Sequence, residues 1–326
     1  MNPTAAEKIP TSTKGPETDQ SQLDRCSKET APPESTPLPA LRALKASVSG
    51  KISASLLPLV TRFARDFVSG ETIDDALSVA QRLASDTIPS TLGFWDTPDY
   101  TRRQVAHTYL AAVKRLAAST LDSYVSIKPP ALGYDPQLAS EFAAEAKASN
   151  IRLHCDSHGP ESADPSHVML QAMLRELPAA NLGTTIPGRW SRSLTDADWA
   201  VEQQLNVRVV KGQWPGPACP QRDLRTGFLE VVDRLAGRAR HVAVATHDMP
   251  LAEQAIARLR AARTSCELEQ LYGMNSRKSL RWARENRIKL RVYIPFGKGY
   301  VPNAIGVLKR NPRLAWVILK MLVASR

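Results

Sequence analysis

From residue 90 onward, short apolar runs rich in β-branched residues alternate with longer segments whose apolar positions recur every three to four residues. The runs at 91–95, 124–127, 151–154, 182–186, 207–210, 242–245, 267–271 and 290–294 read as strands. The segments at 101–117, 136–148, 164–177, 195–204, 249–262 and 277–287 read as helices. Strand and helix therefore alternate, eight strands at a spacing of about 25 to 35 residues, and no solenoid-type repeat is present. This pattern predicts an α/β fold, a closed TIM-like (β/α)8 barrel in preference to an open doubly wound sheet. No GxGxxG follows any of the runs, so the usual dinucleotide fingerprint of the open-sheet alternative is missing.

Upstream the periodicity changes. Leu56, Leu57, Val60 and Phe63, then Ile73, Ala76, Leu77, Ala80 and Leu83 keep helical spacing, with a break at Gly70 and Glu71. These helices gather no reactive side chains and read as scaffolding ahead of the barrel. Residues 1–39 are rich in Pro, Ser, Thr and Glu and hold no aromatic residue. Such a segment buries too little surface to offset its ordering entropy. The chain is thus parsed as a disordered tail (1–39), a helical segment (40–86) and a barrel with C-terminal helices (87–326).

Composition narrows the picture. The hydrophobic content of 43% suits a soluble chain, and the longest apolar stretch, LAWVILKMLVA, is interrupted by Lys320. Cys26, Cys155, Cys219 and Cys266 lack metal or CxxC spacing, which predicts reduced thiols and no metal. The N-terminus has no basic-then-apolar leader and carries Glu7, Glu17, Asp19 and Asp24, so a cytoplasmic location is expected. Formal net charge is +11, and because the first 38 residues hold four basic and six acidic side chains, the remainder carries +13. That field favours phosphates, dinucleotides, carboxylates or acidic lipid. Nucleic acid is disfavoured, since no aromatic and basic interleaving accompanies the charge.

In a barrel the chemistry belongs at the carboxyl ends of the strands. In order, these ends deliver Asp96, Lys128, Asp156 with Ser157 and His158, Arg189, Lys211 with Arg208 inside its strand, Thr246 with His247 and Asp248, Gln270, and Tyr293. Glu267 and Glu269 are expected at the same rim. Several charges from separate strands need partners, and a bulky anionic cofactor would supply them. His247 suits either a general base or a hydrogen-bonded structural role. No GxSxG motif supports a hydrolase. Glu267 and Glu269 lie two apart on one strand and face one side, which argues against a glycosidase pair and for an anchor to a neighbouring Lys or Arg.

The run ELEQLYGM (267–274), followed about twenty residues later by RVYIPFG (291–297), resembles the last two barrel strands of proline dehydrogenases. VSIKPPALG around Lys128, IRLHCDSHG around Asp156, RVVKGQW from Arg208 and VAVATHD before Met249 are similar to the earlier strands in the same order, so the resemblance covers roughly residues 87 to 300. It implies a noncovalent FAD, with Arg208 near the isoalloxazine and Lys211, Gly212, Thr246, His247 and Gln270 around the flavin and its phosphate and ribose groups. It also implies that Lys128 faces a substrate carboxylate, that Asp156 lies by the flavin and its cationic neighbours, and that Tyr293 walls the pocket. The implied reaction is hydride transfer from L-proline, or a related cyclic amine, to flavin N5, giving pyrroline-5-carboxylate.

One helix departs from the family pattern. In GYVPNAIGVLKRNP, Asn303 stands where a tyrosine is expected, Gly306 and Val307 where two arginines are, and Arg310 where an acid is. Pro187 likewise replaces a glutamine after the fourth strand. Arginine forks are the strong partners of carboxylates. Their replacement leaves Arg189 or Lys309 to compensate, or points to a different cyclic amine. The other reading is a degenerate flavoprotein or anion-binding barrel without turnover. The basic, amphipathic 315–326 segment suits docking on the barrel or an anionic membrane surface with a quinone as electron acceptor.

Overall fold

The structure, a computed structural model, describes residues 68–215, 223–274 and 277–299. The expected tail, the helical run at 56–63 and the departing positions Asn303, Gly306, Val307 and Arg310 lie outside them.

Eight parallel strands close into a barrel in chain order. They are β1 (Ser90–Phe94), β2 (Ser123–Ile127), β3 (Leu153–Cys155), β4 (Leu182–Pro187), β5 (Asn206–Val210), β6 (His241–Ala245), β7 (Ser265–Leu271) and β8 (Leu290–Phe296). Closure is made where β8 returns to β1, with Ser90 opposite Val292 and Phe94 opposite Phe296. Helix α1 (Ile73–Ser85) precedes the barrel. The seven connecting helices are α2 (Arg102–Ala117), α3 (Pro136–Ala148), α4 (Ala163–Leu174), α5 (Ser193–Glu202), α6 (Leu224–Leu235), α7 (Met249–Ala261) and α8 (Arg277–Glu285).

Local sequence sets the helix starts. Thr72 with Asp75, and Thr101 with Gln104, form reciprocal capping boxes, satisfying backbone donors that the first turn leaves without partners. Asp135 caps α3 ahead of Pro136, and Asp248 accepts from the Leu251 amide to start α7. Helix α6 was not among the predicted helices. Asp223 starts it by accepting from the Arg225 and Thr226 amides, and Gly227 joins Phe228, Val231, Val232 and Leu235 on its buried face. That glycine lies at a close approach: a Cβ on Gly188 would stand 2.5 Å from the Phe228 nitrogen. Strand β3 starts at Leu153 because the Ile151 amide is still closing α3, on the Ala146 carbonyl at 2.9 Å.

The apolar core lies between the strands and the helices. Outward residues such as Leu92, Val125, Val209, Val244, Leu268 and Val292 are fully buried against Tyr109, Phe142, Phe228 and Leu259 of the surrounding helices. The inward positions, set by the period of two, are largely polar. At the N-terminal end of the lumen, Arg291 Nε donates to Glu267 Oε1 at 2.8 Å, while its other nitrogens reach the Ser90 carbonyl at 2.8 Å and Asp122 Oδ1 at 3.1 Å. The guanidinium also lies 4.8 Å from the Tyr124 ring centre. Glu267 therefore does not reach the rim at which it was expected. It sits near the start of β7, two residues below Glu269, and plugs the opposite end.

Burial pushes the Glu267 carboxyl up, but Arg291 and His241 outweigh it and hold it at about 2. An unfolded glutamate titrates near ~4.3. The folded value is the lower one, so this stability is complete above that pH and is lost as pH falls toward 2. Replacing Glu267 by Gln leaves the buried guanidinium with the half-exposed Asp122 as its remaining anionic partner, and urea titration at neutral pH should show a loss of about 3 kcal/mol. The same variant should lose less stability than the wild type between pH 5 and pH 2.5.

Candidate functional site

Side chains from β2, β3, β5, β7 and β8 meet in the C-terminal half of the lumen. Their hub is Arg208, only 4% exposed. Its Nε donates to Glu269 Oε2 at 2.8 Å and one terminal nitrogen to Glu269 Oε1 at 3.0 Å, a two-pronged pairing. The other terminal nitrogen donates to Asp156 Oδ1 at 2.5 Å and to Ser126 Oγ at 3.2 Å. The Tyr124 hydroxyl accepts from Arg208 at 3.2 Å and donates to Glu269 at 3.4 Å. Burial opposes the Arg208 charge, yet Glu269, Tyr124 and Asp156 hold its pKa well above the ordinary value.

Tyr293 lies on this hub. Its hydroxyl donates to Asp156 Oδ2 at 2.9 Å, and the Arg208 guanidinium lies 5.4 Å from its ring centre. Burial, then Asp156, pushes the Tyr293 phenol far up, so it stays a neutral donor. Space for the ring comes from Gly93 on the adjacent strand: a Cβ there would fall 2.0 Å from the Tyr293 hydroxyl.

Lys128 forms the second cationic point. Its Nζ is 3.4 Å from Asp96 Oδ1 and 5.7 Å from the Trp95 ring centre, with the side chain 13% exposed. Its backbone amide donates to the Tyr109 hydroxyl at 3.0 Å, which ties the end of β2 to α2. Desolvation lowers the Lys128 pKa, opposed by Asp96 and Asp156.

A third group occupies the rim over β5 and β6. Lys211 Nζ donates to Asp248 Oδ2 at 2.8 Å, and Arg225 pairs with the same oxygen. Gly212 takes φ +95°, a conformation that side chains avoid, and Arg189 donates to the Gly212 and Gln213 carbonyls. His247 Nε2 accepts from the Leu271 amide at 3.2 Å, so its proton is on Nδ1 and its free lone pair is used. Burial, then Lys211, lowers its pKa. Of the two roles open to His247 from sequence, this geometry matches the structural one.

The lumen thus brings together Lys128, Asp156, Arg208 and Tyr293, and the β5–β6 rim brings Lys211, Gly212, Thr246 and His247 beside them. Gln270 is placed elsewhere. Because Glu267 and Glu269 point inward, Gln270 points outward, where Ser279 Oγ of α8 donates to its Oε1 at 2.7 Å and its amide nitrogen reaches the Thr246 carbonyl at 3.4 Å. Strand parity contained that answer. One of Glu267 and Glu269 is expected from sequence to anchor a cation, and in the structure each anchors its own arginine. Tyr124, Ser126 and Thr91 were missed, although the same parity places them on the inner face with Lys128.

The donors of the β5–β6 rim suit an anionic, hydrogen-bonding group. His158 Nδ1 is buried with no hydrogen-bond partner among the described residues, and its ring lies 5.4 Å from that of Trp214. Cationic Lys211 and Arg225 share a single carboxylate at the rim. Arg208 and Lys128 are each paired with carboxylates inside the lumen.

No family model matches the chain. Among curated proteins it is similar to Proline dehydrogenase 1 of Bacillus subtilis subsp. natto, 27% identical over 277 residues, covering 79% of this chain and 89% of that protein. Proline dehydrogenase of Deinococcus radiodurans is 25% identical over 280 residues, covering 79% and 90%. Among solved structures, proline utilization A (PutA) from Bdellovibrio bacteriovorus inactivated by N-propargylglycine aligns with a TM-score of 0.64 at 16% identity, over 77% of this chain and 32% of that one. A Bradyrhizobium japonicum PutA mutant gives 0.63 at 17%, over 76% and 31%. The chain spans about a third of the length of these structures, and at such identities the likeness is one of fold.

Replacing Gly93 by Ala should displace the Tyr293 ring and cost about 1–3 kcal/mol. In a Tyr293→Ala background the same change should cost under about 0.5 kcal/mol, as read from a double-mutant cycle of urea midpoints.

Proposed function

We infer that this chain belongs to the proline dehydrogenase family and oxidises L-proline to pyrroline-5-carboxylate with a noncovalently bound FAD. The observation that carries this reading is the convergence of Lys128, Asp156, Arg208 and Tyr293, from four different strands, in the C-terminal half of the lumen. Similarity to curated proline dehydrogenases over 79% of the chain supports it.

The residues fit a flavin by their donor chemistry. Arg208 would hold the ring system, and Lys211, Thr246 and His247 would hold the polar tail at the β5–β6 rim, with the unpartnered His158 Nδ1 as a further donor or acceptor. When bound, a flavin supplies the hydride acceptor. The protein's own part is placement. Lys128, partly desolvated and only loosely paired with Asp96 at 3.4 Å, exchanges that partner for the substrate carboxylate. Tyr293, fixed by Asp156, walls the pocket and keeps water from the reacting carbon. Asp156 holds Arg208 in position by a short charge-assisted hydrogen bond.

Recognition of the carboxylate rests on Lys128, with Arg189 or Lys309 in support, because Gly306 and Val307 stand at the positions where arginines are expected. Transfer of electrons to a quinone at an anionic surface accords with the basic 315–326 segment, which lies outside the described residues. Among the described residues, no helix is long and apolar enough to cross a membrane.

The test is anaerobic mixing of FAD-reconstituted protein with L-proline and a panel of cyclic amines. Proline should bleach the flavin band; a yellow protein that no member bleaches would mean a barrel without turnover. Lys128→Met should keep its flavin and raise the KM for proline about tenfold or more, since a charge-assisted contact is lost. An unchanged KM removes Lys128 from substrate recognition.

A further inference from the structure

Arg208 has more negative charge around it than a single ion pair requires. Asp156 meets it from the mouth. Glu269 meets it from beneath, 2% exposed, and both carboxylate oxygens are occupied: Oε1 also accepts from Thr91 Oγ1 at 3.0 Å and Oε2 from the Tyr124 hydroxyl at 3.4 Å. All four contacts donate to this one carboxylate. Burial, then Glu269, pushes the Tyr124 phenol up, so it remains neutral. The hub of Arg208, Asp156 and Glu269 therefore carries one positive and two negative charges, while Lys128 is offset by Asp96. Beneath the mouth the lumen presents net negative charge, although its most prominent group is a guanidinium.

We propose that Glu269 is a positioning residue that locks the Arg208 guanidinium and cancels its charge, so that the flavin sits above a floor of net negative charge. This rests on the flavoenzyme reading given above. At low effective dielectric one fixed charge beneath the ring counts strongly. Glu269 therefore lowers the midpoint potential of the bound flavin and disfavours anions at its N5, and it favours a substrate that carries its charge as an amine cation.

Sulfite is a suitable probe. Its sulfur lone pair forms a bond to N5 of the oxidised ring, the ring takes up the electron pair as negative charge, and positive charge nearby stabilises the adduct. Titration of sulfite into the FAD-reconstituted full chain, read as bleaching of the flavin band, should show roughly tenfold or tighter binding for Glu269→Gln than for the wild type. The midpoint potential should rise in parallel. Glu269→Asp keeps the charge and should stay within about threefold of the wild type, a rescue that a packing role alone does not require.

If Glu269→Gln does not fold, Arg208→Gln is compared with the double variant Arg208→Gln, Glu269→Gln, which removes the buried pair together. The double variant should bind sulfite roughly tenfold or more tightly than the single one. A yellow wild type whose sulfite affinity and potential ignore position 269 overturns this inference alone. A wild type that stays colourless with FAD overturns the parent reading and this one with it.

Discussion

A guanidinium enclosed by a ring of strands needs anionic partners within the ring, and that requirement orders the site. Arg208 projects from β5 into the lumen, where water cannot compensate its charge. Asp156 from β3 and Glu269 from β7 do so, joined by Ser126 and Tyr124 from β2. Because these partners sit on separate strands, the pairing also fixes how they stand relative to one another. Tyr293 is then held by the second oxygen of Asp156 and inherits the rigidity of the hub. A site placed on rigid strands in this way needs little reorganisation when a ligand arrives.

The same chemistry closes the other end of the barrel. Glu267 and Arg291, two residues below Glu269 and Tyr293 on the same strands, form a second buried pair completed by Asp122 and the Ser90 carbonyl. Neither pair is the main source of stability, since buried ion pairs gain little net energy once desolvation is counted. That role belongs to the apolar layer between strands and helices, where Leu92, Val125, Val209, Val244 and Val292 are packed. The division leaves the lumen to polar and charged groups.

Much of this was legible in the chain. The alternation of apolar runs with helical stripes gave the eight strands and their order, and the strand ends named Lys128, Asp156, Arg208 and Tyr293 as neighbours. Parity along β7 also implies that Gln270 faces away from Glu267 and Glu269, and parity along β2 places Tyr124 and Ser126 beside Lys128. Helix α6 is legible too, since Phe228, Val231, Val232 and Leu235 recur at helical spacing.

The barrel, and the face of the strand on which each charged residue lies, follow from the pattern along the chain, because strand periodicity is local and needs only near neighbours. Height and partnership emerge on folding: Glu269 meets Arg208 while Glu267 meets Arg291, and the His247 Nε2 lone pair is taken by the Leu271 amide. The physical reason is that height and partnership depend on how strands distant in sequence are staggered when the barrel closes. That stagger is fixed by packing and pairing around the whole ring, which no single segment encodes.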